Sequence, residues 1–233
     1  MTKIVILIPV WGRPNIFDLC ARSVRRAIDL TTWLDIEVMA VISPEDKHVN
    51  RLKSIAFKQG FDICLYKNKA LGEKINAGIS ALEPGYDYLM GLGSDNLISP
   101  KLFDLYRGLI RKKHPLFGVG DYLIYDQKTG RGIDFSLYRT ITGAGRMIHR
   151  ELLESMGGTL YSDRCVRGLD GNSMSRIVNR TRMTPRRLAT KQTLIVDIKS
   201  DTNINAFNFV AGFHNCIKKV YERYDHKDWM DFL

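Results

Sequence analysis

The feature that most constrains this chain is an alternation. Between residues 3 and 113, four short apolar runs rich in β-branched residues alternate with segments of helical period. Residues 3–10 (KIVILIPV) are apolar almost throughout, as a strand covered on both faces requires. Pro9, Gly12 and Pro14 break this run into a loop, and a helix is predicted over 15–30 with Asn15 as its N-cap. A second strand is predicted over 36–42, ended by Ser43-Pro44-Glu45-Asp46, then a helix over 47–59 closed by Gly60. A third strand over 61–66 precedes a helix over 73–82, stopped by Pro84-Gly85. A fourth strand over 86–92 runs into Gly93-Ser94-Asp95-Asn96, and a helix over 100–113 follows. Such short crossovers predict an α/β fold with a mostly parallel central sheet and helices on both faces. Ligands of such sheets gather at the carboxyl ends of the strands.

The second half has a different pattern. Strands are predicted over 117–125 and 133–138, joined through Gln127-Lys128-Thr129-Gly130. Helices follow over 150–156 and 170–179, then a strand over 193–198 and a terminal helix over 214–224. With no repeat or linker, all 233 residues are expected to form one domain, residues 1–113 making one half and 114–233 the other. Cys20, Cys64, Cys165 and Cys216 form no CxxC pair, which argues against a disulfide framework or a zinc site. The apolar run at 4–10 is too short to span a membrane and no signal-peptide cleavage pattern follows it, so a cytoplasmic protein is expected.

Residues 86–100 (YDYLMGLGSDNLISP) carry the most chemical information. An apolar strand ends directly in a turn of small residues around Asp95. A carboxylate held there can reach a hard cation bridging two phosphates, and Mg²⁺ or Mn²⁺ favours such oxygen ligands. Residues 70–82 (ALGEKINAGISAL) put Gly72 ahead of a helix and Lys74 in its first turn, a setting that favours phosphate. Asn76 and Gly78 follow on the same helix.

Together these segments resemble the family 2 and related GT-A glycosyltransferases over roughly residues 3–180. The further marks are Gly143-Ala144-Gly145-Arg146-Met147-Ile148, a helix reaching Gly157-Gly158, and Gly168-Leu169-Asp170-Gly171. The resemblance implies a single Rossmann-like GT-A domain, with a nucleotide-sugar half and an acceptor-side half. It implies a nucleotide-sugar donor, of the UDP-sugar type, and a divalent Mn²⁺ or Mg²⁺ ion. It places Pro9, Trp11 and Arg13 beside the donor nucleotide, with Glu45 or Asp46 at the base. It places Lys74, Asn76, Ser94 and Asp95 at the donor as well, Asp95 binding the metal with Asn96 placed to assist. Asp170 matches the family's catalytic base, whose role is to take the acceptor hydroxyl's proton. One departure is plain: the family's Asp-x-Asp has Gly93 at its first position here. Asp197, Asp201 and His214 are the candidates for a further metal ligand, and Lys199 for neutralising phosphate.

The formal net charge is +10, and it is uneven. Residues 164–191 hold eight basic side chains against one acid, Asp170. Such a segment suits a polyanion. With no membrane segment, the favoured acceptor is a hydroxymethylated pyrimidine in DNA, as in phage DNA modification, with Arg182, Arg186 and Arg187 on the backbone. An envelope or capsule saccharide is the alternative acceptor. A nucleotidyltransferase would need a Gly-rich basic loop after the first strand, where this chain has Val10-Trp11-Gly12-Arg13-Pro14. Gly93 favours a third reading, a non-catalytic polyanion-binding module on the same fold.

Overall fold

The computed structural model describes residues 1–128, 131–136, 140–200 and 222–223. Its core is a mixed seven-stranded sheet in the order β10-β6-β9-β4-β1-β2-β3. The strands are β1 (Thr2–Val10), β2 (Leu34–Ile42), β3 (Asp62–Leu65), β4 (Tyr88–Gly91), β6 (Leu116–Val119), β9 (Arg146–His149) and β10 (Arg186–Leu188). β1 pairs in parallel with β2 and β4, and β2 with β3. β9 runs antiparallel between β4 and β6. A second sheet, in the order β12-β8-β7-β11-β5, uses β5 (Asn96–Ile98), β7 (Asp121–Asp126), β8 (Arg131–Ser136), β11 (Ile195–Lys199) and β12 (Glu222–Arg223).

The run of apolar residues in β1 is explained by its central place. Ile4, Ile6, Ile8 and Val10 face one core and Val5 and Leu7 the other, following the two-residue period of a strand. The first core holds α1 (Pro14–Asp29), α2 (Val49–Lys58) and α4 (Lys101–Arg111), through Phe17, Leu52 and Phe103 among others. The second holds α3 (Leu71–Ser80), α5 (Arg150–Ser155) and α6 (Leu169–Thr181), through Ile79, Leu152 and Ile177. Leu97, Leu123 and Val196 make a small separate core on the second sheet, closed by Ile16 of α1.

The differences from the sequence pattern have local causes. Arg13, not Asn15, is the N-cap of α1, because Pro14 takes the first helical position, where its missing N–H costs nothing. The strand expected over 117–125 is two strands in two sheets. It breaks at Gly120, where a Cβ would fall 2.3 Å from Arg187 Nε. β5, β9 and β10 are three or four residues long, too short to show a period. The helix expected over 214–224 falls almost wholly outside the described residues, and Glu222–Arg223 within it is a strand paired with β8.

Candidate active site

A cavity of about 770 Å³ opens at the carboxyl ends of β1 and β4, within the usual range for a small-molecule site. The chain leaves β1 toward β2 and β3 on one side and returns to β4 on the other, so the opening is a topological switch point. Residues from both halves line it.

One end is built from the loop after β1. Pro9, Trp11 and Arg13 line it, and Trp11 is 42% exposed. The loop is held from beneath by Asp46, which is buried and accepts hydrogen bonds from the Gly12 and His48 amides. Glu45, its neighbour, is exposed and accepts from the Asn68 amide instead. Of the two acids after β2, Asp46 is therefore the one tied to the Trp11 loop.

Lys74 is expected to meet phosphate from a helix start, but the structure puts it deeper. It is the fourth residue of α3 and 1% exposed. Its ammonium donates to the Val10 carbonyl (2.6 Å) and Ser43 Oγ (2.7 Å), 6.0 Å from the Trp11 ring centre. It therefore ties the ends of β1 and β2 together. Burial pushes its pKa down to about 8, against the raising effect of Glu45 and Asp46. Asn76 does not line the cavity. Its Nδ2 donates to the Tyr161 carbonyl and Asp163, and its Oδ1 accepts from the Leu160 and Tyr161 amides. That use of both ends of the amide makes it a clasp between α3 and the 160–163 loop.

Asp95 sits where β4 gives way to β5, on the cavity wall beside Ser94. Arg13 Nη1 lies 3.1 Å from its Oδ2, each side chain 18% exposed. Asp197 joins it from β11, which pairs antiparallel with β5. Asp197 Oδ2 is 2.6 Å from Lys199 Nζ, while its Oδ1 is buried without a hydrogen-bond partner. Burial first, and then the Asp95 charge, raises the Asp197 pKa from the carboxylate range. Two acids and two bases thus face one another at this wall. The missing first aspartate has a steric counterpart: a Cβ on Gly93 would lie 2.7 Å from both Asp95 Oδ1 and Asn96 Oδ1. Asn96 is spent on the turn, accepting from the Gly93 amide.

The donor set suits a hard divalent ion. Such ions are commonly held by one or two carboxylates plus substrate phosphates and water, and the unpartnered Asp197 oxygen is a ready ligand. Among the described residues no group of three or more His, Cys, Asp and Glu is placed to hold a metal without substrate. Asp201 and His214 lie outside the described residues.

Asp170, in the first turn of α6 and exposed, also lines the cavity. The N-cap of α6 is Gly168, so Asp170 does not cap the helix. Its Oδ2 accepts from the Gly143 amide (3.0 Å). The carboxylate lies so close to that backbone that a Cβ on Gly143 would fall 1.8 Å from Oδ1. Arg146, buried in β9, has Nη2 4.0 Å from the same oxygen. Arginine usually reads as a surface residue, and nothing in the sequence marked this one as buried.

The basic segment divides. Arg164, Arg167, Arg182 and Arg186 are exposed, and Arg167 lines the cavity. Arg187 is partly buried and paired with Asp121 at 2.7 Å, across the break between β6 and β7. That bridge gives Arg187 a structural role beside the one expected of it. No helix among the described residues is long and apolar enough to cross a membrane.

No protein-family model and no curated protein matches the chain. Solved structures do. S. aureus TarS (residues 1–349) is similar at a TM-score of 0.60 and 12% identity, over 84% of this chain and 60% of that one. The same fragment has been solved in complex with UDP-GlcNAc. Mannosyltransferase PcManGT from Pyrobaculum calidifontis, in complex with GDP-Man and Mn²⁺, matches at 0.57 and 12% identity, over 84% and 56% of the two chains. 4-Diphosphocytidyl-2C-methyl-D-erythritolsynthase from Anaerococcus prevotii matches at 0.54 and 13% identity, over 86% and 94%. The chain thus spans about 60% of the length of the TarS fragment. The likeness establishes a GT-A-like α/β fold.

Proposed function

We propose that a chain with this GT-A-like fold transfers a sugar from a nucleotide-sugar donor, of the UDP-sugar type, to a hydroxyl acceptor. The observation that carries the reading is the gathering of three carboxylates from distant parts of the chain, Asp95, Asp170 and Asp197, in the lining of one cavity. The structural likeness to enzymes solved with UDP-GlcNAc and with GDP-Man supports it. The nucleotide base would lie at the Trp11 loop braced by Asp46, and the diphosphate at Asp95.

In the reaction, Asp170 takes the proton of the acceptor hydroxyl as that oxygen attacks the anomeric carbon. The bond from that carbon to the diphosphate oxygen breaks, and its electron pair leaves on phosphate. Arg13 and Lys199 stand where that negative charge develops. A divalent ion held by Asp95 and Asp197 would add further positive charge there.

The acceptor reading follows charge. Exposed Arg164, Arg167, Arg182 and Arg186 support a polyanion, and DNA bearing hydroxymethylated pyrimidines is the acceptor we favour. A second reaction class, nucleotidyl transfer, draws support from the erythritol synthase likeness, which covers 94% of that enzyme. The products separate them. Incubation with a panel of nucleotide-sugars and Mn²⁺ should release nucleoside diphosphate. Release of pyrophosphate from nucleoside triphosphate would replace the reading, and no turnover of either would leave a binding module.

A further inference from the structure

We propose that Arg146 is a positioning residue that holds Asp170 in its working place; this rests on the assignment of Asp170 as the base. Arg146 opens β9 and is 3% exposed. A guanidinium taken out of water is costly unless its donors are met. Here Nη1 donates to Ser173 Oγ at 2.6 Å, while Nε and Nη2 are buried without a hydrogen-bond partner. Those two nitrogens form one edge of the guanidinium, the fork that matches a carboxylate. Nη2 is the nitrogen 4.0 Å from Asp170 Oδ1.

Arg146 thus reaches Asp170 by two routes. One is the direct ion pair across 4.0 Å. The other runs through Ser173, whose hydroxyl bonds back to the Leu169 and Asp170 carbonyls in the first turn of α6. The remaining partner of the carboxylate, the Gly143 amide, belongs to the same turn as Arg146, whose own amide donates to the Gly143 carbonyl at 3.3 Å. An aspartate on an exposed helix start has several rotamers open to it. The charge of Arg146 below and the Gly143 amide beside it select the one that lies against the backbone and faces the cavity.

The test uses the whole protein and two readouts. In ¹⁵N-labelled protein, Asp170→Ala fixes where the Gly143 amide resonates without its acceptor. Arg146→Met should move that signal most of the way there, and Arg146→Lys, which keeps the charge, should move it less. In turnover, Arg146→Met should lower kcat about 10²-fold, the cost of a misplaced reacting group, with donor KM within about twofold. A folded Arg146→Met protein whose Gly143 amide stays at its wild-type position overturns the proposal, as does an unchanged kcat. If Arg146→Met does not fold, Ser173→Ala cuts the second route and should move the same amide in the same direction. Wild-type protein that turns over no nucleotide-sugar would defeat the functional reading, while the amide shift would still report on Arg146.

Discussion

Asp197 on β11 stands opposite Asn96 on β5, and the neighbouring Ile198 amide donates to the Asp95 carbonyl at 2.8 Å. Two acids about a hundred residues apart in sequence are thereby fixed on one wall of the cavity. If that wall holds a divalent ion with the donor diphosphate, each acid contributes separately. Asp95→Ala and Asp197→Asn should each weaken Mn²⁺-dependent binding of nucleoside diphosphate, by about tenfold or more, while binding without metal changes little. Calorimetry with and without EDTA makes the comparison. Equal affinity in EDTA for the wild type would remove the ion from the site.

Gly93→Asp restores the acid that the Asp-x-Asp pattern carries, yet it should not restore tighter metal binding. Its Cβ would fall 2.7 Å from two oxygens, one of them the Asn96 oxygen that closes the turn. We expect a lower melting temperature and weaker Mn²⁺-dependent binding than the wild type. A tighter metal complex with unchanged stability would show the turn to be more yielding than its geometry indicates.

Asp170→Asn keeps the shape of the proposed base and removes its basicity. Loss of kcat should be about 10²- to 10⁴-fold, the range for general-base removal, with donor affinity preserved. Gly143→Ala should approach the same phenotype without touching the carboxylate chemically, because the new methyl takes its space. A stable Gly143→Ala enzyme with normal turnover would place the base elsewhere.

Lys74 yields a prediction about stability and pH. Its folded pKa is lowered to about 8, so between there and the unfolded value of 10.5 the unfolded chain holds the extra proton. Stability from this group therefore rises as pH increases through that window. Urea midpoints from pH 7.5 to 10 should show a rise that Lys74→Met abolishes. Since the ammonium contacts Val10 and Ser43, Lys74→Met should weaken uridine and UDP alike. A loss confined to UDP would return the residue to a phosphate role.

If the exposed arginines follow DNA, binding should weaken with salt, by a slope of about −0.9 in log K per phosphate neutralised. Arg182→Ser with Arg186→Ser should make that slope shallower by about 2 units, by the same rule. Arg187→Ser should mainly lower stability, through the lost bridge to Asp121. No measurable DNA binding at low salt would shift the acceptor to a saccharide.

The sequence made the β1 strand legible because a strand buried on both faces must be apolar at every position. It also made the turn at Asp95 and the start of α6 legible, since small residues and a lone acid mark them. Strand order was out of reach, so the resemblance offered Asp197 only as one of three candidates beside Asp95, and their meeting depends on a three-residue strand without a period. The burial of Lys74 was hidden for a related reason. Lysine at a helix start suggests an exposed charge, and only the packed strand ends reveal the carbonyl and hydroxyl that hold it. The structural role of Asn76 was equally hidden, because its partners lie more than eighty residues away.

The chain leaves one sheet with β4 and enters the other with β5, and the residues between them run from Leu92 to Asp95. Any sliding of the small sheet against the large one would therefore be delivered to Asp95, the carboxylate proposed to face the diphosphate. On the proposed function, Leu97, Leu123 and Val196, which lie in the separate core of the small sheet, would be levers on donor affinity from a distance. Selection for a new donor need not begin in the cavity, and substitutions that repack this minor core are where laboratory evolution should first find it.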